Sequence, residues 1–109
     1  MKRGEIWIGA ETADYARKPR PWIVIQDDHF RGTDSVLAIP LTSVSIDAPL
    51  LRVSIPEGDA TGLQANSWAM LEKLTAMRRS RLHKRIGAIG DSVLGELERK
   101  LMVVLGFSG

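Results

Sequence analysis

Two groups of basic residues are the first candidates for chemistry in this sequence, because arginine and lysine side chains bind phosphate oxygens. Arg17, Lys18 and Arg20 lie in one short segment. The second group comprises Arg78, Arg79, Arg81, Lys84 and Arg85, with His83 between them. Together the two groups could line one phosphate-binding surface. Basic groups more often form a solvated face, so these clusters alone do not establish a nucleic-acid site.

Residue types that are missing or scarce exclude other chemistry. The chain contains no cysteine, which excludes disulfide bonds, thiolate zinc sites and a cysteine nucleophile. Two histidines can share the acid and base roles in RNA cleavage, but nothing in the sequence pairs His29 with His83. We interpret both as exposed polar residues.

The composition fits a small globular protein with one hydrophobic core. Apolar residues make up 44% of the 109 residues, charged residues make up 26%, and the net charge is only +2. A chain of this length can close one core. No apolar run is long enough to cross a bilayer, and the first residues lack the apolar region of a signal peptide. We therefore expect a single domain over residues 1–109, without a membrane segment, in the cytoplasm.

Prolines and glycines divide the first two-thirds of the chain into short apolar segments, which is typical of strands. We predict strands over residues 5–10, 22–26, 35–41 and 51–55. The segment 22–26 is almost entirely apolar and rich in β-branched residues, as expected of a central strand buried on both faces. Pro40 cannot donate a ladder hydrogen bond, so it places the third strand at a sheet edge or beside a bulge.

Residues 67–77 carry conflicting signals. Trp68, with Gly62 and Asn66 before it, favours a strand. Residues 70–74 favour a helix by their intrinsic propensities. Both interpretations stay open at this point.

The end of the chain combines a short strand, predicted over residues 84–89, with a helix. Apolar residues recur there at spacings of three and four, the pattern of one helical face. They are Leu94, Leu97, Leu101, Val104 and Leu105. We predict a helix of about four turns, capped at its start by Asp91 or Ser92 and ended by Gly106. Short strands followed by one helix predict a mainly β fold with a C-terminal helix, as a sheet or small barrel.

A specific order of motifs runs along the whole chain. It begins with Lys2-Arg3-Gly4-Glu5-Ile6-Trp7, continues with Arg20-Pro21 before an apolar strand, and reaches Pro40-Leu41-Thr42-Ser43. The remaining motifs are Gly62-Leu63, Leu71-Glu72-Lys73-Leu74, Arg81-Leu82, Ile86-Gly87 and a leucine-rich helix. In this combination the sequence resembles the MazF/PemK toxin family over essentially its whole length.

The resemblance implies an SH3-like β-barrel with a C-terminal α-helix, assembled as a homodimer. It implies an endoribonuclease toxin that needs neither metal nor cofactor. Such a toxin cuts single-stranded RNA at short sequences and leaves a 2′,3′-cyclic phosphate and a 5′-hydroxyl. The resemblance also implies a cognate antitoxin, whose acidic, flexible tail occupies the RNA groove.

Candidate site residues follow from the same resemblance. Arg20 matches the family's catalytic arginine, and a guanidinium can hold two oxygens of a pentacovalent phosphorane. Thr42 matches the family's threonine, and Glu72 lies where some relatives carry a proton-accepting acid. The expected RNA-binding residues are Arg17, Lys18, Ser43, Arg78 and Arg79.

Two departures from the family's pattern leave the proton-transfer roles open. Many relatives carry a glutamate in the loop before the catalytic arginine, where Asp14 is the only acid here. Many relatives also read Glu-Gln-Ile-Arg-Thr at residues 72–76, so the family's arginine is replaced by Thr75. Arg78 or Arg79 could supply the missing charge.

Two alternatives to the nuclease also stay open. A non-catalytic toxin of the same fold, resembling the CcdB proteins that bind DNA gyrase, would have no need of Arg20 and Thr42. An SH3-like module that only binds RNA or peptide would leave RNA intact. Cleavage of RNA in excess EDTA separates the nuclease from both.

Overall fold

A computed structural model describes residues 1–11 and 18–107 of the chain. The strands are β1 (Glu5–Gly9), β2 (Arg20–Val24), β3 (Ser35–Thr42), β4 (Arg52–Ile55), β5 (Ser67–Met70), β6 (Thr75–Arg78) and β7 (Leu82–Ala88). Two short 3-10 turns (Leu71–Lys73 and Arg79–Arg81) and one helix, α1 (Asp91–Val104), complete the described part. The predicted fold class, mainly β with a C-terminal helix, is confirmed.

The strands form one antiparallel sheet in the order β4-β5-β3-β2-β1-β7, with β6 paired to the first half of β3. As predicted, β2 is central, since it lies between β1 and β3. Its residues Trp22, Ile23 and Val24 are all buried. Both faces of the sheet therefore carry core packing, one of them against α1.

The strand that contains Pro40 is not at an edge, so the first of the two sequence-based alternatives, an edge strand or a bulge near the strand's end, is wrong. β3 pairs with β2 on one side, where Pro40 lies opposite Trp22. On its other side β3 pairs with β6 up to Ala38 and with β5 from Leu41. Proline is tolerated in this central strand because it falls where the strand changes partner, so no ladder hydrogen bond is lost.

Residues 67–77 form neither one helix nor one strand. They divide into β5, the 3-10 turn Leu71–Lys73 and β6. The two strands pair with different halves of β3, so the chain must turn between them. The helical propensity of this segment is expressed only in that turn, whose first residue Leu71 is buried and donates its N–H to the Leu51 carbonyl at 3.0 Å.

Helix α1 packs on the sheet through the face that the periodicity predicted. Leu97 is fully buried, and Leu101 and Val104 pack against the same cluster. Leu105 is exposed, because the helix ends at Val104 and Gly106 leaves it with φ +80°. The predicted side-chain cap is wrong: Gly90 is the N-cap and no side chain caps it. Among the described residues, no helix is both long and apolar enough to span a membrane.

Candidate nucleic-acid interface

Two neighbouring cavities, each of about 350 Å³, form a groove at one end of β2 and β3. Lys18 and Arg20 line both cavities. The first cavity is also lined by Gly9, Ala10, Glu11, Trp22, Pro40 and Lys73. The second is also lined by Pro19, Pro21, Leu41, Thr42, Ser43, Leu63, Gln64, Ala65 and Ser67. We call the two cavities together the groove.

Arg20 lies between the two cavities, at the first residue of β2. Its backbone is held by pairing with Gly9 of β1, and Pro21 after it favours an extended conformation. The side chain is exposed, and within residues 1–11 and 18–107 it forms no ion pair with a carboxylate. A fixed backbone and an exposed guanidinium suit phosphate binding.

Thr42 is the last residue of β3 and reaches the groove from the neighbouring strand. Its Oγ1 accepts a hydrogen bond from the N–H of Val44 at 3.1 Å. A hydroxyl can accept and donate at once, so the proton of Thr42 stays available to an oxygen in the groove. Ser43, exposed beside it, lines the same cavity.

Lys73 adds a cation to the groove that the sequence did not single out. It ends the 3-10 turn Leu71–Lys73, is exposed, and lines the first cavity together with Lys18 and Arg20. The sequence did not identify Lys73 as a groove residue because residues 70–74 also fit a helix, and a helix would have directed its side chain elsewhere than the 3-10 turn does.

Comparison with known proteins decides the family. Residues 2–105 match the family described as "PemK-like, MazF-like toxin of type II toxin-antitoxin system". The chain is also 42% identical to the "Probable endoribonuclease MazF" of Mycolicibacterium smegmatis over 109 residues, covering 100% of this chain and 100% of that protein. This chain belongs to the PemK/MazF toxin family.

Solved structures of PemK/MazF toxins share the fold. A MazE-MazF structure from Deinococcus radiodurans superposes with a TM-score of 0.80 at 23% identity, covering 97% of this chain and 96% of that chain. An endoribonuclease in complex with its cognate antitoxin from a mycobacterial species gives 0.77 at 18% identity, covering 97% and 93%. At these identities the likeness concerns the fold, and it confirms the predicted PemK/MazF-like architecture.

The PemK/MazF resemblance suggested Glu72 as a proton acceptor, but the structure places Glu72 away from the groove. Its carboxylate accepts a hydrogen bond from Nη1 of Arg52 at 2.5 Å, and it lines neither cavity. Burial raises its pKa, but the hydrogen bond from Arg52 and the charges of Arg52 and Lys73 outweigh burial, so the pKa lies below its usual value. An acid with a lowered pKa is a weak base near neutral pH, and this placement favours a structural role.

Only some of the other predicted RNA-binding residues of this PemK/MazF toxin lie in the groove. Lys18 and Ser43 line the groove. Arg78 and Arg79 line a different cavity beside Thr33, where Arg79 donates to the Thr33 carbonyl at 2.6 Å. Arg17 lies outside the described residues.

The two histidines contribute nothing to the groove. His29 is exposed and bound to Asp27 at 2.6 Å, and this hydrogen bond raises the pKa of the imidazole. His83 is exposed on β7, and neither histidine lines the two cavities.

The Arg52–Glu72 ion pair predicts how stability depends on pH. Because the pKa of Glu72 is lowered by folding, the pair stabilises the protein above the ordinary glutamate range, about pH 4 to 5, and the gain is lost as pH falls further. Glu72→Gln should therefore lower the urea midpoint at pH 7 and have little effect near pH 3, measured by circular dichroism. An equal deficit at both pH values would contradict this role.

Proposed function

We propose that this toxin is a metal-independent endoribonuclease that cleaves single-stranded RNA through the RNA's own 2′-hydroxyl. The products are a 2′,3′-cyclic phosphate and a 5′-hydroxyl. The observation that carries the proposal is that Arg20 and Thr42, from the adjoining ends of β2 and β3, line one cavity. The 42% identity to the "Probable endoribonuclease MazF" of Mycolicibacterium smegmatis supports the same activity.

Arg20 performs the electrostatic part of this reaction. Attack of the 2′-oxygen on phosphorus, with loss of its proton to water, gives a pentacovalent phosphorane with additional negative charge. The bond between phosphorus and the 5′-oxygen then breaks, and the 5′-oxygen takes up a proton from water to become the 5′-hydroxyl. A guanidinium can bind two of the phosphorane oxygens and stays charged at working pH. Because β2 holds the backbone of Arg20, little reorganisation is needed as the charge develops.

Thr42 completes the contact from β3. Its Oγ1 already accepts a hydrogen bond from the N–H of Val44. The hydroxyl is therefore free to donate a hydrogen bond to a phosphate oxygen, and this contact helps to align the 2′-hydroxyl with phosphorus. Lys18 and Ser43 contribute further contacts to the RNA, since both line the groove. Short, exposed cavities with several cations suit an unpaired strand.

Thr42→Val should lower kcat roughly tenfold, which corresponds to the loss of one neutral hydrogen bond. The fold should change little, because valine keeps the branched shape that suits a strand. Thr42→Ser keeps the hydroxyl and should retain most activity. The measurement is the cleavage rate of a fluorescent oligonucleotide under single-turnover conditions. Equal rates for the valine variant and wild type would remove Thr42 from the proposed chemistry.

The direct test of the activity uses purified protein and total cellular RNA in excess EDTA. We expect cleavage without added metal, and ends that accept a 5′ phosphate from a kinase without prior phosphatase treatment. Mapping these ends gives the recognition sequence. If RNA stays intact while the protein binds DNA gyrase, the chain is a gyrase-directed toxin; if RNA is bound but intact, it is a binding module.

The same proposal includes partners and location. The cations of the groove suit an acidic, flexible antitoxin tail, and a related fold is known in a complex between an endoribonuclease and its cognate antitoxin. We propose a homodimer, for which the exposed apolar side chains near the end of α1 offer one surface. They are Met102, Val103, Leu105 and Phe107. We also propose that the protein acts in the cytoplasm, where it would meet cellular RNA.

A further inference from the structure

We infer that Lys73 is a further phosphate-binding cation of the groove, beside Arg20 and Lys18, and that it is positioned by the Arg52–Glu72 ion pair. The inference rests on the proposed RNA cleavage. It assigns Lys73 to the phosphate next to the scissile one, because Lys73 shares a cavity with Arg20 but not with Thr42.

The three residues of the 3-10 turn point in three directions. A 3-10 turn has about three residues per turn, so successive side chains diverge by about 120°. Leu71 is buried in the core, and Glu72 is bound to Arg52. With these two directions occupied, the third residue, Lys73, is directed to the groove, where it lines the cavity beside Arg20.

The partner of Glu72 is itself firmly held. The side chain of Arg52 is only 10% exposed, and its Nη1 also donates to the Leu51 carbonyl at 3.1 Å. From α1, Nζ of Lys100 contacts the Arg52 carbonyl at 3.4 Å. The turn is thus attached to β4 and indirectly to the helix, which fixes the base from which Lys73 extends.

Thr75 contributes to the same arrangement at the position where many relatives carry arginine. Its Oγ1 donates to the carbonyl of Lys73 at 2.7 Å. The residue that replaces the arginine therefore supports the backbone of Lys73, which brings a positive charge to the groove. Arg78 and Arg79, the other candidates for this charge, line a different cavity.

The test of Lys73 separates substrate binding from chemistry. A contact to a neighbouring phosphate acts equally in the ground and transition states, so Lys73→Gln should raise KM roughly tenfold with kcat nearly unchanged. The slope of log(kcat/KM) against log salt should become shallower by about 0.7. Lys73→Arg keeps the positive charge and should leave both KM and the salt slope at their wild-type values. Lys2→Gln removes the same charge from an exposed position outside the groove and should change neither.

The role of Glu72 is tested by a double-mutant cycle. Glu72→Gln should raise KM less than Lys73→Gln does. The combined variant should have the KM of Lys73→Gln alone, because both substitutions act on the same contact between Lys73 and the phosphate. If Glu72 were instead the general base, Glu72→Gln would lower kcat and change the pH–rate profile independently of Lys73. Wild-type cleavage with an unchanged KM and salt slope in Lys73→Gln would overturn the inference. Absence of wild-type cleavage would overturn the proposed function instead.

Discussion

Arg20→Ala is expected to reduce RNA cleavage by about a thousandfold while the protein stays folded. Loss of one preorganised donor to developing charge costs on the order of a hundredfold to a thousandfold in kcat, and a guanidinium that makes two contacts belongs at the upper end. Stability should be retained, because the side chain is exposed and the β1–β2 pairing at Gly9 uses only its backbone.

The measurement pairs single-turnover cleavage with thermal unfolding. Arg20→Lys keeps the charge without the two-pronged geometry and should recover only part of the rate. Arg31→Ala is the matched control, since Arg31 is an exposed arginine that binds the Asp28 carbonyl away from the groove. Growth arrest on expression should disappear for Arg20→Ala and persist for Arg31→Ala. Full toxicity of the Arg20 variant would refute the assignment.

Gly87→Ala is expected to destabilise the protein by roughly 3 kcal/mol or more, which exceeds ordinary overpacking. At Gly87 an added Cβ would lie 2.3 Å from the carbonyl carbon of Thr61 and 2.5 Å from the oxygen of Ala60. Both neighbours are backbone atoms, and the N–H of Ala88 is bound to the Ala60 carbonyl at 3.0 Å. The backbone cannot move aside without breaking that hydrogen bond.

This close approach of Gly87 to the backbone of residues 60–61, which we call the crossing, also supports the groove. Gly62, on the facing segment, has φ +72°, and a Cβ added there would lie 2.1 Å from the carbonyl oxygen of Ile86. Leu63, the next residue, begins the wall of the second cavity. Displacing the crossing in Gly87→Ala should therefore weaken cleavage as well as stability.

The effect is measured by urea unfolding, with Gly32→Ala as the control. Gly32 has open space around its would-be Cβ and no positive φ, so the same substitution there should stay within about 0.5 kcal/mol. Two variants with equal midpoints would show that the crossing is looser than the structure indicates.

Local pattern was sufficient to predict the elements whose burial follows from sequence alone. The apolar run of β2 predicted a central strand, and the leucine spacing predicted the buried face of α1 around Leu97. The edge position that Pro40 suggested was wrong because proline is tolerated where β3 changes partner, which is a property of the whole sheet. Residues 67–77 stayed ambiguous for the same reason.

Motifs selected the candidate residues Arg20 and Thr42, but no motif selected a residue that only the geometry of the fold brings to the groove. Arg20 and Thr42 were chosen by resemblance, and the structure places them on one cavity. Lys73 carries no motif signal of its own; only the buried Leu71 and the bound Glu72 reveal its direction. Charge counting favoured Arg78 and Arg79, which the fold places at another cavity.

In the proposed reaction the nucleophile comes from the RNA, while Arg20 and Thr42 stabilise the phosphorane that its attack creates. The most direct measurement uses two oligonucleotides that contain a mapped cleavage site, in excess EDTA. One carries a single 2′-deoxynucleotide immediately 5′ of the scissile phosphate, and the other carries it one position further upstream. We predict that the first is not cut and that the second is cut at a rate close to that of unmodified RNA. Cleavage of the first oligonucleotide at the scissile phosphate would contradict the account.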